Sequence, residues 1–139
     1  MHSITGRKRI LHVEDDHRVA GMLKECLEEL YVIESVRDGE SALAAFVETV
    51  PDLVLLDINL YGEMSGLEVL RRLRGIDPTV PVIVTTGTDD YFTITTVLMR
   101  GAFAYIPKPV PLEHLLHLVS AAIPEPASIA LIPPSADPL

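Results

Sequence analysis

Five short runs of β-branched and other apolar residues alternate along the chain with five segments in which apolar residues recur every three or four positions. The short runs predict strands, and the wider spacing predicts helices with one apolar face. Strands that alternate with helices pair in parallel, because each helix carries the chain back across one face of the sheet. The alternation therefore predicts a parallel sheet with helices on both faces.

The order of the predicted elements limits the topology. The strand runs lie within residues 9–16, 31–36, 52–57, 81–86 and 102–106. The helical segments lie within residues 17–30, 40–49, 65–75, 89–100 and 112–119. Right-handed crossovers leave few arrangements of such units, and the common one is the flavodoxin-like doubly wound (βα)5 sandwich. It predicts the strand order 2-1-3-4-5.

Polar residues stand at the carboxyl ends of the predicted strands. Asp57 closes the run 52–57, which is apolar enough to be buried on both faces of the sheet. Ligands of open α/β sheets bind in the crevice at these strand ends. In the predicted strand order the first and third strands are neighbours, so their terminal acids would share one pocket. The candidate residues are Asp57, Glu14 and Asp15, with Thr86 after the fourth strand and Lys108 after the fifth.

The chemistry of these side chains is that of a phosphorylation site. Three neighbouring carboxylates repel one another at neutral pH, and a divalent cation with oxygen ligands relieves that repulsion. Mg²⁺ binds through one or two carboxylates, which leaves Asp57 able to act as a nucleophile. The Lys108 ammonium and the Thr86 hydroxyl can hold phosphoryl oxygens as charge develops on them. The pattern thus predicts Mg²⁺-dependent phosphorylation of Asp57.

Composition narrows the class of protein. The chain has 139 residues and a net charge of −9, which fits one domain and argues against direct binding of nucleic acid. It has neither an apolar run long enough for a membrane span nor a secretory leader, so we expect a cytoplasmic protein without a membrane contact. The single cysteine, Cys26, is predicted to be a buried thiol of the first helix.

The two ends of the chain differ from its middle. Residues 1–7 have no periodic pattern and are predicted to be a disordered lead-in. Residues 8–123 contain all the predicted strands and helices and are predicted to be the folded domain. The segment 124–139 is rich in proline, which favours a tail or a linker over regular structure.

The sequence resembles the receiver domain of two-component response regulators over residues 8–123. The resemblance is carried by Ile10-Leu-His-Val-Glu-Asp15, Asp52-Leu-Val-Leu-Leu-Asp57, Gly66-Leu-Glu-Val-Leu70, Pro81-Val-Ile-Val-Thr-Thr86, Gly101-Ala102 and Tyr105-Ile-Pro-Lys-Pro109. Each motif alone is weak, but their order and spacing together are specific.

The resemblance implies a role for each matching residue. Asp57 would be the phosphoacceptor, Asp15 a direct Mg²⁺ ligand and Glu14 a ligand through water. The other implied roles are a backbone carbonyl ligand at Asn59, a phosphoryl contact at Lys108, a moving hydroxyl at Thr86, an aromatic switch at Tyr105 and a cis bond before Pro109.

The resemblance also implies partners and an output. A histidine kinase or a histidine phosphotransfer protein would donate the phosphoryl group, and the domain would hydrolyse the acyl phosphate slowly rather than work as a dedicated enzyme. Phosphorylation would switch the face built from the fourth helix, fifth strand and fifth helix. That face would bind an unknown downstream protein or a second copy of the chain.

The sequence departs from the usual pattern of this family in several places. The loop from Asn59 to Gly66 is one residue longer than usual and has Tyr61 where proline is common. Gly87 stands where alanine is frequent, and His12 replaces an aliphatic residue of the first strand.

Two other functional classes remain open from the sequence. An aspartyl-nucleophile phosphatase also uses aspartate, Mg²⁺ and lysine, but its nucleophile follows the first strand and a second acid stands two residues later, where this chain has Asn59. A binding domain that works without phosphorylation would be expected to have lost one of the acids or the lysine.

Overall fold

The computed structural model describes residues 6–87 and 90–123. The predicted tail, residues 124–139, and most of the predicted lead-in, residues 1–5, lie outside this part of the chain. The five strands are β1 Arg9–Val13, β2 Val32–Val36, β3 Leu53–Asp57, β4 Val82–Thr86 and β5 Ala104–Pro107. The five helices are α1 His17–Leu27, α2 Gly39–Glu48, α3 Gly66–Ile76, α4 Tyr91–Met99 and α5 Leu112–Ala122.

All five strands pair in parallel in the order β2-β1-β3-β4-β5, which confirms the predicted topology. The central strand β3 lies between β1 and β4, and each of its five residues is buried. The prediction that this run is buried on both faces is therefore confirmed. The topology also brings the carboxyl ends of β1 and β3 together at one edge of the sheet.

The side chains of β3 alternate between two hydrophobic cores. Val54 and Leu56 pack on the face covered by α2 and α3, where Phe46 is fully buried. Leu53 and Leu55 pack on the opposite face with residues of α1 and α5. Because successive residues of a strand point to opposite faces, a strand buried on both sides must be apolar throughout. The run 53–56 meets that requirement.

Side chains at the amino ends of four helices accept backbone hydrogen bonds. Asp16, Ser65 and Asp90 cap α1, α3 and α4. Asp38 caps α2 in the same way. Each cap satisfies a backbone donor that the first helical turn leaves unpaired. These caps fix the residue at which each helix begins, next to the carboxyl ends of the strands.

Helix α1 is shorter than predicted, and its cysteine is on the outside. The helix ends at Leu27 and Leu30 is 57% exposed. The prediction that Cys26 is buried is wrong, since its side chain is exposed. The buried residues are Ala20, Leu23 and Leu27, and a residue adjacent to Leu27 is rotated from it by about 100° around the helix. The apolar stripe is thus narrower than the sequence indicated.

Helix α4 contributes little to the core. Val97 is its only buried residue, whereas Tyr91, Phe92 and Met99 are strongly exposed. None of the helices in the part of the chain that the structure describes could span a membrane.

Candidate functional site

Three acids meet at the carboxyl ends of β1 and β3. Carboxylate oxygens of Glu14, Asp15 and Asp57 all lie within 4.8 Å of one another. Glu14 and Asp57 are 1% and 2% exposed, whereas Asp15 is half-buried. A cluster of hard oxygen ligands with one side open to solvent can hold a divalent cation. The structure therefore brings together the three acidic side chains that the sequence predicted to share a pocket.

Lys108 lies against two of these acids. Its Nζ is 3.1 Å from Asp57 Oδ2 and 3.1 Å from Glu14 Oε1. The backbone N–H of Lys108 donates to the Thr86 carbonyl at 2.8 Å, and the bond to Pro109 is cis, as the family resemblance implied. Burial opposes the charge of Lys108, but the hydrogen bonds and charges of Asp57 and Glu14 outweigh it and raise its pKa.

Glu14 binds its proton more tightly than an ordinary glutamate. Burial is the largest cause and repulsion by Asp57 the next, and together they raise the pKa of Glu14 to about 7. The ion pair with Lys108 and the hydrogen bond from the Asp16 N–H act in the opposite direction. A carboxyl with this pKa carries a proton part of the time at neutral pH.

Backbone donors orient the two other carboxylates. The N–H of Asn59 donates to Asp57 Oδ1 at 2.9 Å, and the N–H of Tyr61 donates to Asp15 Oδ2 at 3.2 Å. Asp57 thus has one oxygen held by the loop after β3 and the other by Lys108. This arrangement fixes the carboxylate at the base of the pocket.

The loop between β3 and α3, residues 58–65, is held in place by buried side chains and by contacts at both of its ends. Ile58, Leu60 and Met64 are buried. A Cβ at Gly66 would lie 2.5 Å from the backbone of Ile58, so only glycine allows this approach. The side-chain oxygen of Asn59 accepts a hydrogen bond from the N–H of Gly87 at 3.2 Å, which connects this loop to the end of β4.

The resulting pocket has a volume of about 480 Å³. Its lining residues are Glu14, Asp15, Asp16, Asp57, Asn59, Tyr61, Gly87 and Lys108. Sequence reasoning did not assign Tyr61 or Gly87 to the pocket. Their positions four residues after Asp57 and one after Thr86 are the signal that could have placed them there.

The two predicted switch residues lie beside the pocket and do not line it. Thr86 is buried at the end of β4, and Tyr105 is half-buried in β5. Tyr105 packs against the core that contains Val84, its partner in the β4–β5 pairing. Because Thr86 is two residues beyond Val84, it points to the same face of the sheet as Tyr105. The two side chains therefore share a face.

His12 lies beneath the pocket in the core. It is 1% exposed, and within the described part of the chain neither ring nitrogen has a hydrogen-bond partner. Burial, with a smaller contribution from Lys108, lowers the pKa of His12 to about 4. The imidazole is therefore neutral at physiological pH.

Known proteins resemble the chain in both sequence and structure. The family model described as "Response regulator receiver domain" matches residues 10–120. The uncharacterised transcriptional regulatory protein YkoG of Bacillus subtilis is 44% identical over 115 residues, which cover 82% of this chain and 50% of that protein. Response regulator MprA of Mycobacterium tuberculosis is 37% identical over 116 residues, which cover 83% of this chain and 50% of that protein.

Two solved receiver domains superimpose on nearly their whole length. A CheY-like receiver domain protein from Methanospirillum hungatei has a TM-score of 0.80 and 33% identity, covering 85% of this chain and 94% of that one. The receiver domain of NtrX from Brucella abortus has a TM-score of 0.78 and 31% identity, covering 82% and 97%. The chain spans half the length of the curated relatives that it matches. Sequence, topology and pocket agree, and the chain belongs to the response regulator receiver domain family of two-component signalling.

Proposed function

We propose that Asp57 accepts a phosphoryl group from a histidine kinase or a histidine phosphotransfer protein with the help of Mg²⁺. The observation that carries the proposal is the position of the Asp57 carboxylate. It is buried at the base of an acidic pocket, between the Asn59 N–H at 2.9 Å and the Lys108 ammonium at 3.1 Å. The donor families act in the cytoplasm, and we expect this chain to meet them there.

The residues of the pocket fit Mg²⁺. Carboxylate oxygens of Glu14, Asp15 and Asp57 lie within 4.8 Å of one another. Asp15 and Asp57 would bind the ion directly, Glu14 would bind it through water, and the Asn59 carbonyl would be a further ligand. Mg²⁺ prefers one or two carboxylates and keeps several waters or phosphate oxygens. When bound, the ion would neutralise charge on the transferring phosphoryl group.

The transfer itself needs a nucleophile and a partner for the incoming charge. An Asp57 oxygen attacks phosphorus, and the bond from phosphorus to the donor nitrogen breaks with its electron pair on nitrogen. Lys108, already bonded to Asp57 Oδ2, is placed to pair with an oxygen of the new acyl phosphate. We propose that the chain is a phosphoacceptor that hydrolyses its own acyl phosphate slowly, and not a dedicated enzyme.

The output would use residues next to the pocket. A phosphoryl group adds a charge of about −1.5 to −2. The Thr86 hydroxyl and the Lys108 ammonium can contact its oxygens only in the phosphorylated state, so these contacts favour the conformation that makes them. Since Thr86 and Tyr105 share a face of the sheet, movement of one changes the space open to the other. The face of α4, β5 and α5 would then change its affinity for a downstream protein or for a second copy of the chain.

Acetyl phosphate with Mg²⁺ is expected to add one phosphoryl group to the protein, since this small donor needs only the pocket. Intact-protein mass spectrometry measures the gain, and EDTA should prevent it. Borohydride reduces an acyl phosphate to an alcohol, so peptide mapping should find homoserine at position 57. Uptake that persists in EDTA, or homoserine at another position, would contradict the proposal.

Asp15→Asn is expected to weaken Mg²⁺ binding by about tenfold or more, because the direct ligand loses its charge. The amide oxygen can still accept the hydrogen bond from the Tyr61 N–H, so the loop keeps its position. Asp16→Asn is the matched control, since it removes the same charge from the neighbouring residue and asparagine also caps a helix. Isothermal titration calorimetry with Mg²⁺ measures the affinity of both variants. Equal affinities would exclude Asp15 as the ligand.

A further inference from the structure

We propose that the Tyr61 ring forms a subsite for the imidazole ring of the donor's phosphohistidine. The inference rests on the proposed function, since it concerns the donor of the same phosphoryl group. It assigns a role in donor recognition to a residue that lies where proline is common in this family. The subsite contacts the leaving group and not the transferring phosphoryl group.

The pocket has a mouth that any donor must pass. Asp57 is 2% exposed, so the phosphorus atom of a donor reaches it only by entering the pocket. The phosphohistidine ring is bonded directly to that phosphorus and must therefore come to rest near the mouth during transfer. Tyr61 lines the pocket and is 80% exposed. Its aromatic ring is available to a group arriving from solvent.

The loop holds Tyr61 in this place. The Tyr61 N–H is bonded to Asp15 Oδ2, and the preceding residue, Leu60, is buried. The next residue, Gly62, has φ of +105°, a conformation that turns the chain sharply and that residues with a Cβ rarely adopt. An anchored backbone on one side and a tight turn on the other leave only the side chain of Tyr61 free to adapt.

The leaving group suits an aromatic partner. As the phosphorus–nitrogen bond breaks, its electrons go to the imidazole nitrogen, and a proton on the other ring nitrogen leaves a neutral ring behind. Until that moment the protonated ring carries positive charge. The face of a tyrosine attracts both flat aromatic rings and cations.

A comparison of two small phosphoryl donors isolates the contribution of the Tyr61 ring. N-phosphoimidazole and phosphoramidate both transfer through a phosphorus–nitrogen bond, but only the first has an aromatic leaving group. We expect Tyr61→Ala to lower the ratio of their phosphorylation rates by about two- to tenfold, the value of one aromatic contact. Tyr61→Phe should keep the wild-type ratio, and Tyr61→Leu should lower it. A change in loop structure would slow phosphorylation by both donors alike, so it would leave the ratio of the two rates unchanged.

Phe103→Ala is the matched control. Phe103 is an exposed aromatic residue just before β5, at the opposite edge of the sheet, and its loss should leave the ratio unchanged. An unchanged ratio in Tyr61→Ala, or an equal fall in Phe103→Ala, would overturn the subsite alone. If neither donor phosphorylates the wild-type chain, the proposed function falls first and the subsite falls with it.

Discussion

Asp57→Asn is expected to abolish uptake of a phosphoryl group from acetyl phosphate. Asparagine has nearly the same shape, and its oxygen can still accept the hydrogen bond that the Asn59 N–H donates at 2.9 Å. An amide has no charged oxygen to attack phosphorus, so the folded site persists without its nucleophile. Glu14 beside it is a poor substitute, because burial, the largest cause of its raised pKa, remains in the variant and disfavours the charged form that would attack.

The same variant has a second readout. Repulsion by Asp57 is the second cause of the raised pKa of Glu14, so removing that charge should bring the pKa of Glu14 down. Titration of the Glu14 side-chain carbon by NMR measures the change. Asp38→Asn is the control, because it removes one charge from an exposed helix cap that asparagine also suits. Full phosphorylation of Asp57→Asn, or none in Asp38→Asn, would contradict the assignment.

The fold could be predicted because its determinants are local. The run 53–56 is apolar at every position, which is the pattern that a strand buried on both faces needs. Helix caps such as Asp16 and Ser65 add start signals that do not depend on the rest of the chain. The site followed from topology, since parallel strands collect their carboxyl ends at one edge.

Features that depend on packing could not be predicted. The sequence of α1 allows several rotations about the helix axis, and contacts with the sheet select the one that buries Leu27 and exposes Cys26. The placement of Tyr61 at the mouth of the pocket depends on burial of Leu60 and on the turn at Gly62. Such positions are fixed by tertiary contacts that no local pattern encodes.

Two buried groups beneath and within the pocket respond to pH in opposite directions. Burial lowers the pKa of His12 from 6.5 to about 4, so stability is lost as pH falls through this range because the unfolded chain binds the proton first. Burial raises the pKa of Glu14 from 4.5 to about 7, so stability is lost as pH rises through that range. Between pH 4.5 and 6.5 the two effects offset each other.

Replacing His12 by leucine removes one of these two opposing effects, so the pH dependence of stability that Glu14 causes should become visible. Relative to wild type, His12→Leu should gain about 3 kcal/mol of unfolding free energy as the pH is lowered from 7 to 4. Glu14→Gln should show the reverse, with a relative gain of unfolding free energy as the pH rises from 4.5 to 7. Urea denaturation followed by circular dichroism in EDTA measures both, since bound metal would change the titration of Glu14. A difference between His12→Leu and wild type that does not vary with pH would show that the native state does not hold His12 neutral.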